Sequence, residues 1–226
     1  MKKRPPTPIF ITGAQRSGST IVAKIINLVG ENFGKVSPMY ENVRINELVA
    51  GYLIGLGINP ELQYPLPSID SPFPELWREK VSYIMAQENT RVYKSGRLCQ
   101  MWRVWNQAFP DAKWIIVRRK TEDIVNSCLK TSFMRSFSDT SVCREIGVDN
   151  TREGWIWWVR EHERMFLDMT RAGIDYTVIR PDRMAEGDYS QISAMLEWLG
   201  LPWTESIVPN IEPIFTNYKI KQNDNG

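Results

Sequence analysis

Two stretches carry residues whose types and spacing suit the grip of phosphate. The first, residues 13–20, reads GAQRSGST and follows the apolar run PIFIT. A glycine-rich turn between a buried strand and a helix aims several backbone N–H groups at one point. The helix N-terminus adds partial positive charge there, so an anion binds. Gly13 and Gly18 supply the backbone freedom and the close approach. The pattern departs from the nucleotide-binding P-loop, GxxxxGK[ST], at one place: Ser19 stands where a lysine should reach the far phosphates. The first cation on the loop is Arg16, which moves positive charge toward the near side. The acid that would help hold magnesium is missing too, because the apolar run WIIV ends in Arg118 and Arg119. Glu122 and Asp123 come later, in the first turn of the next helix, where they favour its N-terminus. Taken alone, the loop also fits an ordinary strand–turn–helix.

The second stretch is WIIVRRKTEDIVNSCLKT. With Arg119 at the strand end, Ser127 lies eight residues on, about two turns into the following helix. Helical side chains lean back toward the N-terminus, so Ser127 can point to the same edge as Arg119. An arginine and a hydroxyl together cradle a dianionic phosphate.

The elements that must position these residues follow from periodicity. PIFIT and KWIIVRR read as buried strands, and TRVYKSG and YTVIR as strands. The stretch SGSTIVAKIINLVG, residues 17–30, has helical spacing, with Ile21, Ile25, Leu28 and Val29 on one face and Gly30 as the stop. Helices are also expected over 43–57, 74–89, 98–109, 121–131, 151–172 and 190–199, the last two ended by Gly173 and Gly200. Five prolines make 58–74 a loop, and 132–150 is polar and irregular, long enough for a lid over the site. Strands alternating with helices predict an α/β fold: a three-layer α/β/α sandwich with a central parallel sheet and a P-loop-like nucleotide-binding core. Right-handed crossovers put the strand C-termini on one edge, where ligands bind. Three of those ends are polar: GAQRSGST, KSGR and RRKTED.

The 226 residues suffice for one domain, with an extended lead-in over 1–7 and an irregular tail over 203–226. A net charge of +2 is too small to argue for nucleic acid. No apolar stretch is long enough to span a membrane. Cys99, Cys128 and Cys143 form no CxxC, so neither a zinc site nor a disulfide framework is indicated and a reduced, cytoplasmic setting is expected. His162 is the lone histidine and lies within the long helix, away from any strand edge, as a surface or supporting residue. Most of the nine tryptophans serve packing, although one or two, with Trp102 or Trp105, could line an acceptor cleft.

RSGST after the first strand, paired with Arg119, Asp123 and Ser127 after a middle one, resembles the sulfotransferases that use 3'-phosphoadenosine 5'-phosphosulfate (PAPS). The closing segment LEWLGLP is similar to that family's FLGLP, so the likeness runs from Pro8 to about Pro202. RSGST is closer to the carbohydrate and tyrosyl-protein branches than to the cytosolic branch. The catalytic histidine of the cytosolic branch is absent here, since KSG ends in Gly96. The resemblance implies sulfuryl transfer from PAPS to a hydroxyl, leaving 3',5'-bisphosphoadenosine (PAP), without a metal. It implies that Arg16, Ser17, Gly18, Ser19 and Thr20 bind the 5'-phosphosulfate and that Arg119 and Ser127 bind the 3'-phosphate. Lys94, in KSG, matches a family lysine near the breaking bond, though a solvated strand-end lysine would read the same. Glu41, with Arg44 in YENVR, resembles the glutamate base of the tyrosyl-protein branch, with Glu47 in reserve. A glutamate favouring a helix N-terminus would also read so. Asp182 in RPDR is the nearest acid to a later family triplet.

Two other readings stay open. One is a P-loop kinase or NTPase, which needs the missing lysine and acid. The other is a catalytically inactive nucleotide-binding module on the same fold. The acceptor is open among sugars, a peptide tyrosine, a lipid and a small phenol, with a glycan or small metabolite favoured by the short chain.

Overall fold

The computed structural model describes residues 6–64 and 74–214. Residues 1–5 of the lead-in, 65–73 of the proline-rich loop and the tail beyond 214 lie outside the described residues. Four short strands make the centre: β1 (Ile9–Thr12), β2 (Val92–Lys94), β3 (Lys113–Val117) and β4 (Asp175–Ile179). They pair in the order β2-β1-β3-β4, all parallel, with Ile11 in register with Lys94 on one side and Ile115 on the other. All four therefore end on one edge, as the alternation of strands and helices requires.

The helices are α1 (Ser19–Leu28), α2 (Val43–Gly55), α3 (Trp77–Gln87), α4 (Arg97–Gln100) and α5 (Trp102–Ala108) in the first half. In the second half come α6 (Thr121–Lys130), α7 (Thr140–Glu145), α8 (Thr151–Arg171), α9 (Pro181–Ala185) and α10 (Ser190–Leu199). Successive strand residues face opposite ways, and the cores divide accordingly. Ile9, Ile11, Ile115 and Val117 pack with apolar residues of α1 and α10. Phe10, Tyr93, Trp114 and Ile116 pack with those of α2, α3, α5 and the later part of α8. With both faces covered, the fold is the expected three-layer α/β/α sandwich.

Local signals set the ends. Asn42 caps α2 by accepting from the Ile45 N–H, and Asn150 caps α8 by accepting from Glu153 N–H. Helix α1 gives way at Val29 to Gly30 in the left-handed region. Several expectations are corrected here. Leu28 is exposed, because the buried stripe of α1 centres on Ile21, Val22, Ile25 and Ile26 and leaves Leu28 at its edge. The segment 132–150 is no free lid. It holds a 3-10 turn (Ser136–Ser138) and α7, and Phe137 is buried edge-on against Trp155 at 4.7 Å. RPDR begins α9, with Pro181 in the first turn, where a missing N–H costs nothing. The tail is helical over 208–214 and buries Ile211, so it is not irregular from 203 onward.

Candidate active site

A cleft of about 1150 Å³ opens at the edge where the strands end. Its floor is the loop between β1 and α1. Gly13 must be a glycine: a Cβ there would fall 2.5 Å from both Val117 O and Ser17 Oγ. Arg16 and Gly18 take left-handed backbone, at φ 72° and 93°. No side chain caps α1, and among the described residues the Gly18, Ser19 and Thr20 N–H groups meet no acceptor. They open on the cleft, which Gly18, Ser19 and Thr20 line. Ser17 differs from expectation. It is 1% exposed, its N–H is spent on Ala14 O, and its hydroxyl packs over Gly13, so it shapes the loop from beneath.

The two phosphate-suited stretches meet. Arg16 Nε donates to Ser127 Oγ at 2.8 Å. Arg119 donates to the Arg16 carbonyl at 3.3 Å and sits 3.6 Å from Asp123. The i to i+4 spacing of Arg119 and Asp123 across the start of α6 makes that pair, and the backward lean of a helical side chain brings Ser127 to the loop. Phe133 stands under the Arg16 guanidinium at 5.9 Å and adds an aromatic wall. Its carbonyl is held by Gln63 at 2.7 Å.

On the other side of the loop stands a second cluster. Lys94, at the end of β2, is 3% exposed and donates to Met39 O at 3.0 Å and to Glu41 Oε1 at 3.1 Å. Burial lowers its pKa most; the Glu41 carboxylate pulls it back up, and Arg16 pushes it down further. Thr20 Oγ1 donates to the same Met39 carbonyl, which ties α1 to this cluster. Glu41 Oε2 accepts from Asn46 Nδ2 at 2.7 Å, and Asn46 Oδ1 accepts from the Tyr93 hydroxyl at 2.6 Å. The Glu41 side chain is 20% exposed and borders the cleft. Ion pairs, open N–H groups, a proton acceptor and the further lining cations Arg97 and Lys130 can hold a polyanion and accept a proton beside it.

Some sequence expectations part from this site. Arg44 does not hold Glu41; it faces Glu88 at 3.8 Å, and Lys94 and Asn46 take its place. Glu47 is exposed and off the cleft, because α2 turns it away one residue after Asn46. No tryptophan lines the cleft: Trp102 and Trp105 belong to the core with Phe10 and Trp77. Asp182 pairs with Arg180 at 3.2 Å, away from the cleft wall. Asn46 was not singled out; the only signal is a polar residue beside the buried stripe Ile45, Val49 and Leu53.

His162 is corrected as well. It is a core residue, 1% exposed, with Nδ1–H donating to Trp158 O at 2.8 Å and Nε2 facing Gln100 at 3.4 Å. Burial pushes its pKa down to about 4 from 6.5. Between these values the unfolded chain holds more protons than the folded one, so stability falls as pH drops through that window, by about 3 kcal/mol in all. Denaturation midpoints at pH 4.5 and 7 should differ accordingly. His162→Gln should flatten the difference.

The sequence matches the model of the sulfotransferase family over residues 8–205. The chain belongs to the sulfotransferase family. A solved structure of similar fold is the sulfotransferase domain of the olefin synthase from Synechococcus PCC 7002, with 17% identity over 92% of this chain and 78% of that one and a TM-score of 0.52. A comparison with curated proteins gives no sequence match. Among the described residues no helix is long and apolar enough to cross a membrane.

Proposed function

We propose that the protein moves a sulfuryl group from PAPS to a hydroxyl of a glycan or small metabolite. One observation carries the reading: Arg16 and Ser127, 111 residues apart, are joined at 2.8 Å in the cleft, with Arg119 on the loop carbonyl. A cradle of this kind beside the first loop suits a second phosphate, which ATP does not place there. The residues present fit the donor. The open N–H groups of Gly18, Ser19 and Thr20, with Arg16, would hold its 5' end, and Arg119 with Ser127 its 3'-phosphate.

When bound, the donor supplies a sulfuryl group on a phosphate leaving group. The chain's contribution is electrostatic and positional. Arg16 and Lys94 set positive charge where the leaving oxygen gains negative charge. Glu41 takes the acceptor's proton. Its two oxygens each accept one hydrogen bond already, from Lys94 and Asn46, and each keeps a further lone pair for the acceptor. On this reading the residues after β3 take the 3'-phosphate, the loop after β1 the 5' end and Lys94 of β2 the breaking bond, and the acceptor comes from the β2 side. The transfer is read as metal-independent. Glu41 and Asp123 are each paired with a cation, Lys94 and Arg119, which makes them poor metal ligands. A reduced, cytoplasmic setting belongs to the same reading, with Cys99, Cys128 and Cys143 buried as free thiols.

Calorimetric titration with PAP, AMP and ATP–Mg tests the reading. PAP should bind most tightly. Preference for ATP–Mg would overturn it in favour of an NTPase.

A further inference from the structure

A general base works only if its lone pair faces the acceptor, and a carboxylate on a flexible side chain does not stay put unaided. Glu41 is fixed at both oxygens. Lys94 holds Oε1, but it also donates to Met39 O, so its grip is shared. Oε2 is held from another direction by Asn46, on the first turns of α2. Asn46 has its own anchor in the Tyr93 hydroxyl at 2.6 Å. Tyr93 is 1% exposed and its ring stacks on Trp105 at 5.2 Å, so the hydroxyl is delivered from a rigid part of the core.

The direction of this chain of bonds is decided by chemistry. Burial, and next the Glu41 charge, raise the Tyr93 pKa, so the phenol stays protonated. A carboxylate only accepts, so Asn46 turns its N–H₂ toward Glu41 and leaves its carbonyl oxygen to accept from the Tyr93 hydroxyl. Were the amide reversed, its oxygen would confront a carboxylate oxygen. Tyr93 thus holds Asn46 in place, and Asn46 holds Glu41.

We infer that Asn46 and Tyr93 are positioning residues: through the bonds Tyr93 Oη–Asn46 Oδ1 and Asn46 Nδ2–Glu41 Oε2 they fix the plane of the Glu41 carboxylate. The inference rests on the reading of Glu41 as base. It goes beyond that reading in naming two residues that touch neither donor nor acceptor.

The groups that act on Glu41 come from several elements. Lys94 and Tyr93 come from β2 and Asn46 from α2, with Arg97 of α4 acting on Tyr93 and Arg16 of the loop acting on Lys94. Only the Asn46 link can be altered without changing a charge, through Asn46→Leu or Tyr93→Phe.

The test is steady-state kinetics of the full chain with PAPS and a hydroxyl acceptor, with PAP affinity measured by calorimetry beside it. Asn46→Leu should lower kcat by about ten-fold and Tyr93→Phe by less, because the carboxylate no longer holds its aim. PAP affinity should stay within about two-fold, since neither residue lines the cleft. Placed on top of Glu41→Gln, Asn46→Leu should cost nothing further, because it acts through Glu41. An unchanged kcat in both single variants, or a loss that adds in full to that of Glu41→Gln, overturns the inference. If Asn46→Leu fails to fold, the isosteric Tyr93→Phe decides alone by the same two measurements. Failure of the base reading looks different, since Glu41→Gln by itself would then keep its turnover.

Discussion

Glu41→Gln should cut turnover of PAPS by about 100- to 10,000-fold while leaving PAP affinity within a few-fold. Glutamine keeps the size of the side chain and an oxygen for Lys94, but it accepts no proton from an acceptor hydroxyl. The substitution has a second effect with a definite sign. Lys94 is buried, and the Glu41 carboxylate is what opposes the downward pull of burial on its pKa. Without that carboxylate the ammonium loses its proton at lower pH. If, as proposed, a charged Lys94 serves beside the leaving oxygen, the alkaline limb of the residual activity should move to lower pH. Turnover against pH, with PAPS and a panel of hydroxyl acceptors, reads both effects. Activity unchanged across the pH range would remove Glu41 from the chemistry and leave the fold and the phosphate cradle standing.

How far this site was readable from sequence depends on how each residue is held. Arg16, Arg119 and Ser127 were legible because short spacings on rigid elements fix them. A loop follows a strand, and eight residues from a strand end to a helix face leave little freedom. Lys94 was legible as the end of a strand. The partners of Glu41 were not, because they are fixed only by how α2 packs over β2. Arg44, close in sequence, goes to Glu88, whereas Asn46, Tyr93 and Lys94 converge on Glu41 from two elements. The segment 132–150 misled for a related reason. Its polar residues hide Met134, Phe137 and Cys143, whose burial depends on α8 passing beneath them. The tryptophans were ambiguous because an aromatic ring suits a core and a cleft equally. In this fold Trp102, Trp105, Trp155 and Trp158 all go to the core.

The second large effect falls on ligand preference. Arg119→Ala should shrink the preference for PAP over AMP by about 10- to 100-fold, the worth of one or two hydrogen bonds to a charged group. The ratio is the informative quantity. Arg119 also donates to the Arg16 carbonyl, so its loss loosens the loop for both ligands, and that shared part cancels. Only the 3'-phosphate distinguishes PAP from AMP. Titrating both ligands into the wild type and the variant gives the ratio directly. An unchanged ratio would place the 3'-phosphate elsewhere and leave Ser127 merely bracing Arg16.

Arg16 holds its guanidinium over the cleft from a left-handed backbone, at φ 72°. For a residue with a Cβ that conformation costs about 1–2 kcal/mol, and glycine would escape it. The loop therefore carries a standing burden at a position where a cation joins the two phosphate-suited stretches. Stability and chemistry pull against each other here. In a laboratory evolution campaign for heat resistance with no demand for activity, codon 16 is one place where the gene could drift toward glycine. In a lineage that keeps the reaction, the arginine and its awkward backbone must be inherited together.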